Sequence, residues 1–323
     1  MGIPRGSARL LMREAKERPF AGRLLQLGRS SVYFTGAELE RWARRDGFRL
    51  APLEDADAQL SHDPRLAAAG CLGDRAFFRR LGFDRVEACD IADWEGAEHI
   101  FDLNGEVPTE LEGRFDAVFE TGTIVQIFDL PQVLHSLWRL LRPGGRVIHC
   151  AVPSNNHMDL GFYMLCPTFF ADFYAANGWR VERHLLCEYF AFWHRGRLHS
   201  DRWRIYDYRP GMLDGLSYGR YGGAQAATFL VATKVDGATG DRTPQLGQYR
   251  RTWEEFATQT AGSHKVAGLK NSDARARGAM ARLDRLLEGS AAGRRVALAL
   301  KRVGESVRRR LLPRRMPRPI ARL

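Results

Sequence analysis

Cysteine is scarce in this 323-residue chain: Cys71, Cys89, Cys150, Cys166 and Cys187 are odd in number, scattered, and form no C-x-x-C pair. That spacing argues against a disulfide framework and against zinc, and for buried thiols in a reducing compartment, so a cytoplasmic location is expected. No apolar run approaches the roughly 18 residues of a membrane span. The opening stretch, "MGIPRGSARLLMREAKERPF", is charged and amphipathic and lacks an apolar core segment, so no signal peptide is expected. Internal repeats are absent, and so is the G-x-G-x-x-G fingerprint of dinucleotide sites.

Acidic side chains are in short supply only at one end. The net charge is +11, yet from Pro244 to Leu323 there are 19 basic and 6 acidic side chains, a local +13. The first 243 residues carry 30 basic and 32 acidic side chains, or −2. Attraction to an anionic partner therefore belongs to the C-terminal segment, and a near-neutral body excludes broad nucleic-acid recognition by the body itself. The segment also lacks interleaved aromatics and zinc spacing, which argues against base reading. Its run "RRVALALKRVGESVRRRLL" (294–312) puts Val296, Leu300, Val303, Val307 and Leu311 on one stripe with arginines opposite, a pattern suited to lying on an anionic membrane surface or to a solvated extension.

Hydrophobic residues make up 45% of the chain, enough for a full core. In "RLLRPGGRVIH" (139–149) an apolar helical pattern over 131–141 meets Pro143-Gly144-Gly145 and then a β-branched run, 146–153. The expected arrangement is a helix closed by the glycines and followed at once by a buried strand. The same alternation recurs. Helices are expected over 7–18, 36–46, 74–83 and 167–178, and strands in 23–34, 85–91, 97–104, 114–123, 179–193 and 226–235. Strands alternating with helices predict an α/β fold with a doubly wound, mostly parallel sheet, its last strand inserted antiparallel beside the one before. Composition divides the chain into an N-terminal helical segment (1–22), a main domain (23–236), and a linker with a basic, partly helical extension (237–323).

In an open parallel sheet, ligands sit beyond the carboxyl ends of the strands. Those ends carry Gly28-Arg29-Ser30-Ser31, Asp90, Asp102-Leu103-Asn104, Glu120-Thr121-Gly122-Thr123 and Pro153-Ser154-Asn155-Asn156-His157. Acids and small polar residues at successive ends suit a nucleoside: a carboxylate accepts ribose hydroxyls, a second polar group reads the base edge, and glycine admits close backbone. The competing structural role for any one of these acids is to cap the helix that follows.

The blocks "LGFDRVEACDIADWEGAEHIFDLN", "RFDAVFETGT", "LLRPGGRVIHCAVPSNN" and "LGFYMLCPTFFADFYAANGW", in this order and spacing, resemble class I S-adenosylmethionine-dependent methyltransferases over about residues 20–235. The resemblance is to a bacterial group with an "LGR" first strand and a D-x-S-x-x-E-G-A block followed by D-L-N. It implies a seven-stranded, mostly parallel Rossmann-like sheet and S-adenosyl-L-methionine as cofactor. It also implies that Asp90 holds the ribose hydroxyls, with Asp93, Trp94 and Glu95 along the cofactor and Trp94 against adenine. Asp102 and Leu103 would meet the adenine edge, and Glu120, Thr121, Gly122 and Thr123 would floor the methionine end. Of the glycine-rich first loop only Gly28 remains, with Ser30 beside it.

Two departures bear on catalysis. Where the group has G-T-x-E-H-V-F this chain has "GTIVQIF", so Val125 and Gln126 replace a charged pair. Leu160 in "DLGFYMLCP" replaces a histidine. His157, after the fifth strand, is the candidate replacement base, with a solvated loop residue as the alternative, and Gln126 is limited to orienting a nucleophile. Tyr163, Tyr189, Phe192, Trp193 and His194 are candidates for an acceptor pocket or for core. Three readings stay open: methyl transfer to a small-molecule or glycan-like acceptor, a catalytically degenerate fold that binds or scaffolds, and attachment of the basic segment to an anionic membrane surface.

Overall fold

The computed structural model describes residues 2–53, 59–194, 197–213, 216, 221–247, 316 and 318–323. It divides into two compact units. The first comprises Met1–Tyr208, Ala224–Arg251 and Pro319–Leu323, and the second Arg209–Gly223 and Thr252–Arg318. Of the second unit, the described part is chiefly the turn in which the Met212 amide donates to the Arg209 carbonyl. The amphipathic run 294–312 lies outside the described residues.

The first unit is a three-layer α/β/α arrangement. Its strands are β1 (Gly2–Ile3), β2 (Arg23–Leu27), β3 (Ser31–Val32), β4 (Arg85–Asp90), β5 (His99–Ile100), β6 (Phe115–Glu120), β7 (Leu141–Asn155), β8 (Arg180–His194), β9 (Arg197–Asp207), β10 (Gln225–Thr233) and β11 (Ala321–Arg322). Its helices are α1 (Arg5–Glu17), α2 (Gly36–Asp46), α3 (Pro64–Ala68), α4 (Asp74–Leu81), α5 (Leu130–Leu140) and α6 (Pro167–Ala176). The main sheet runs β11-β9-β8-β10-β7-β6-β2-β4-β5, and β1 pairs separately with β3. On one face Leu11, Trp42 and Phe78 from α1, α2 and α4 meet Leu24, Phe119, Cys150 and Phe229. On the other, Leu137 of α5 and Phe170 of α6 meet Leu25, Val118, Val147 and Leu230. The central strands are buried on both faces, alternate residues entering the two cores, and the apolar helix stripes cover them.

Helix termini follow local chemistry. Thr35 and Glu38 form a capping box at the start of α2. Asp129 accepts from the Gln132 amide at the start of α5, where Pro131 supplies a preset φ.

The expected seven-stranded, mostly parallel sheet is corrected: the sheet has nine strands and is mixed. The ladders β5-β4, β4-β2, β2-β6 and β6-β7 are parallel, whereas β7-β10, β10-β8, β8-β9 and β9-β11 are antiparallel. The strand β10 does enter antiparallel beside β8, as expected, and it does so between β7 and β8. The additional strands are β9, whose Arg-rich stretch reads as a connection, and β11, too short for any periodicity. Among the described side chains of β9, Trp203 and Ile205 are buried beside the exposed Arg204, and burial of Tyr206 breaks the alternation. A second correction concerns Pro143-Gly144-Gly145. Helix α5 ends earlier, at Leu140, with Leu141 already extended. The glycines lie within β7 at a register shift opposite Phe115 and Ala117, with Gly144 at φ +78.

The residues after Val235, read as a linker, are fastened to this unit. The indole N–H groups of Trp138 and Trp179 donate to the Ala238 and Thr239 carbonyls at 2.7 Å each, and the Gly247 amide donates to Asp172 at 2.9 Å. The chain end is fastened too. The Ile320 amide donates to the Ile205 carbonyl, the Leu323 amide donates to the Trp203 carbonyl, and the Leu323 side chain joins the α1–α2 core. Leu323→Ala is therefore expected to lower stability by about 1–3 kcal/mol, the range for truncating a mostly buried leucine at a chain end. Urea unfolding measures it, and a midpoint equal to the parent's would mean that β11 does not dock in solution.

Candidate functional site

Adjacent parallel strands β4, β2 and β6 end side by side, so the residues that follow them share one edge. The Gly28 amide donates to the Cys89 carbonyl at 2.8 Å, which turns the chain sharply out of β2 with φ +71. A Cβ at Gly28 would lie 3.7 Å from Asp90 Oδ2 and 3.7 Å from Thr123 Oγ1. The Thr123 hydroxyl donates to the Leu27 carbonyl at 2.6 Å, stitching the end of β6 to that of β2. Asp90 Oδ1 accepts from the Ile91 amide at 2.7 Å. Gly28, Asp90 and Thr123 are thus brought together, with Asp90 Oδ2 turned toward the glycine.

The other sequence-expected residues divide between this edge and the interior. Asp102 is exposed and accepts both the backbone and side-chain N–H of Asn104 at 2.8 and 2.9 Å. Asn104 in turn accepts from the Asp129 amide at 2.9 Å, and Gln132 donates to the Gly105 carbonyl at 2.8 Å, so the 102–105 loop is braced on the start of α5. Leu103 is buried beneath it. Asp93 and Glu95 are exposed, and Trp94 is 82% exposed on the same loop. Ser30 is buried.

Glu120 has no exposure. Its Oε2 accepts from the Gly122 amide at 2.7 Å and its Oε1 meets His149 Nδ1 at 2.6 Å. The far nitrogen of His149 bonds the Tyr174 hydroxyl, whose ionisation burial and Glu120 push well above its usual range. Glu120 therefore shapes the Thr121-Gly122-Thr123 turn from below, its oxygens already committed. Thr121 is buried and donates to the Gly2 carbonyl at 3.4 Å, so the N-terminal strand covers this turn.

His157 is 7% exposed. The left-handed Asn156, at φ +58, swings it inward. Its Nδ1 donates to the Asn155 carbonyl at 2.7 Å, and its Nε2 lies 3.1 Å from the Tyr189 hydroxyl. Burial holds it below the ordinary imidazole range against the pull of the Asn155 carbonyl, so it is a neutral, hydrogen-bonded core histidine at pH 7. Gln126 is exposed and donates to the Leu160 carbonyl at 3.2 Å. Among the aromatic candidates, Tyr189 is core, stacked on Trp203 with centroids 4.5 Å apart, whereas Phe192 is exposed. The side chains of Trp193 and His194 lie outside the described residues.

Sequence reasoning missed the cations that hold the Trp94 loop. Arg29 forms a two-pronged ion pair with buried Asp74 and donates to the Glu95 carbonyl at 3.0 Å. Arg75 donates to the Gly96 carbonyl at 3.0 Å. Arg29 lies between Gly28 and Ser30 in the first loop, and its partner Asp74, at the head of α4, is too remote in sequence to signal the pairing. Burial alone would raise the Asp74 carboxyl, but His62, Arg29 and Gln26 hold it far below the usual carboxylate range.

No family model matches the chain and no curated protein does. Solved structures similar to it include a SAM-dependent methyltransferase from Aquifex aeolicus, at 11% identity and TM-score 0.32, covering 71% of this chain and 93% of that one. Another is the 1,6-didemethyltoxoflavin-N1-methyltransferase of Burkholderia thailandensis, solved with bound 1,6-didemethyltoxoflavin and S-adenosylhomocysteine, at 14% identity and TM-score 0.29, covering 72% of this chain and 78% of that one. A Methanococcus maripaludis protein described as an S-adenosyl-L-methionine-dependent methyltransferase is similar at 11% identity and TM-score 0.27. It covers 44% of this chain and 54% of its own length, so this chain spans about half of that relative. Identities and scores are low throughout, and the chemistry of the site rests on its own residues.

Removing the Arg29 guanidinium, as in Arg29→Met, leaves a buried carboxylate short of its main partner. The expected cost is about 3–5 kcal/mol at pH 7. Because the folded Asp74 is depressed, its contribution is complete above its unfolded range near pH 4 and is lost as pH falls further. The gap between variant and parent in urea unfolding should therefore narrow below about pH 4. A gap that is constant with pH would remove the ion pair as its cause.

Proposed function

We propose that the chain binds S-adenosyl-L-methionine at this edge and transfers its methyl group to a small-molecule acceptor. The observation that carries the reading is the convergence of Gly28, the Asp90 Oδ2 atom and the Thr123 hydroxyl beyond three adjacent parallel strands. The site fits the group. Asp90 Oδ2 has no partner among the described residues and stands where a diol of hydroxyls would donate to it, and the bare Cα of Gly28 admits a ligand's backbone-close approach. Asp93, Trp94 and Asp102 supply a polar and aromatic flank for the nucleobase, over the buried Leu103, with Glu120 setting the turn beneath the methionine end.

Bound there, the cofactor would supply an electrophilic methyl group to an acceptor nucleophile. The chain's own task is alignment and exclusion of water. Gln126 is placed to orient the acceptor. Its amide cannot take a proton near neutrality, and His157 is turned into the core, so an acceptor that needs no strong base suits the site best. The engagement of His157 also favours a second reading, in which cofactor binds without turnover.

Asp90→Ala is expected to weaken S-adenosylhomocysteine binding by about 1–3 kcal/mol, the loss of charge-assisted hydrogen bonds to a bound ligand, with the fold intact by circular dichroism. Titration calorimetry on the full chain measures it. Equal affinity in the folded variant, or no binding by the parent, would overturn the reading. Binding by the parent with no methyl transfer to any acceptor would select the second one.

A further inference from the structure

The turn that follows β6 and the loop that follows β7 leave the sheet at the cofactor edge, and they carry an unusual surface. Phe128 is 70% and Phe162 64% exposed, and their rings meet edge to face with centroids 5.5 Å apart. Met158, Leu160 and Met164 are exposed on the same loop. This surface is held in place. The Phe162 amide donates to the Val125 carbonyl at 2.8 Å, Tyr163 donates through its hydroxyl to the Phe128 carbonyl at 2.8 Å, and Gln126 reaches the Leu160 carbonyl. Gly161 permits that approach, since a Cβ there would lie 2.5 Å from the Val125 carbonyl oxygen. Holding large apolar side chains in water on a braced loop opposes the hydrophobic effect and marks a contact surface.

The charge around it narrows the occupant. The chain has 49 lysines and arginines, yet none stands between Phe115 and Trp138 or between Val147 and Trp179, while Asp129 and Asp159 flank the rings. Within those two stretches a phosphate, a nucleic acid or an anionic lipid headgroup would find no countercharge. A glycan could hydrogen-bond Asp129 and Asp159, but the exposed Phe128, Met158, Leu160, Phe162 and Met164 side chains offer it no partner. Aromatic rings gain from both the edge-to-face phenylalanines and the methionine sulfurs.

We propose that Phe128 and Phe162, with Met158, Leu160 and Met164 around them, form the receiving surface for an uncharged aromatic small molecule, the acceptor class of this site. The inference rests on the methyl-transfer reading above and revises the glycan-like acceptor expected from sequence.

The test uses the full chain, with and without S-adenosylhomocysteine, titrated with 2-naphthol, naphthalene-2-sulfonate and methyl β-glucoside. Saturable binding of 2-naphthol is expected, with the sulfonate about tenfold weaker or more and the glucoside undetected. The double variant Phe128→Ser/Phe162→Ser, in which both exposed rings are gone, should lose about tenfold or more in naphthol affinity with its thermal midpoint kept. Sulfonate or glucoside binding as tight as naphthol, absent naphthol binding, or an unaffected double variant would each overturn the proposal. Binding of phosphatidylcholine vesicles that the double variant loses, without naphthol binding, would assign the surface to a bilayer instead and equally overturn it. Naphthol binding that the double variant loses, together with failure of S-adenosylhomocysteine to bind, would keep the aromatic surface and defeat the methyl-transfer reading alone.

Discussion

A carboxylate with no solvent access at the end of a central strand must have its oxygens engaged, and the partners of Glu120 set much of the site around it. One oxygen takes the Gly122 amide and so fixes the turn that carries Thr121 and Thr123. The other takes His149 from β7, and through His149 the phenol of Tyr174 on α6. The turn after β6, the neighbouring strand β7 and helix α6 are thereby held in one polar line through an otherwise apolar layer. Thr123 then reaches across to the Leu27 carbonyl, which carries the same constraint to the Gly28 bend and so to Asp90. Severing the line at any point would strand a buried polar group, at a cost of about 1–3 kcal/mol for a neutral one and more for a charge.

How much of this was legible in the chain depends on whether a feature is local. The α/β alternation and the apolar strands are written in periodicities of 3.6 and 2, and helix α2, with its own capping box, falls on the expected residues. The reversed strand β10 was legible because a long apolar run with no following helix has only antiparallel partners to choose from. What escaped is what depends on partners remote in sequence. The strand β9 is marked by little more than Trp203 and Ile205 facing the core between arginines, and β11 has two residues whose pairing exists only because β9 presents an open edge. The Pro-Gly-Gly stretch misled for a related reason: glycine supplies a left-handed turn equally at a helix end and inside a bulged strand.

The site shows the same division. The proximity of Gly28, Asp90 and Thr123 was legible because each ends or follows a strand, and strand ends converge by topology. The inward turn of His157 is decided by Asn156 and by a tyrosine 32 residues away, neither of which spacing reveals. Arg29 is likewise defined by Asp74, which becomes its neighbour only once α4 packs on the sheet.

Charge is partitioned along this molecule in a way that fits a cationic cofactor. The segment richest in arginine, beyond Pro244, lies apart in sequence from the strand-end residues, whereas the chain on either side of the β6 and β7 exits is free of lysine and arginine. On the proposed reading, the Asp90 carboxylate and the exposed aromatic and thioether side chains would favour a positive sulfonium, because carboxylate charge and ring quadrupoles both attract a cation. On the same reading, the lack of lysine and arginine in those stretches gives an anionic acceptor no partner from them. That leaves shape and apolar contact to select the acceptor and leaves proximity to the methyl carbon, more than acid–base chemistry by the chain, to drive transfer.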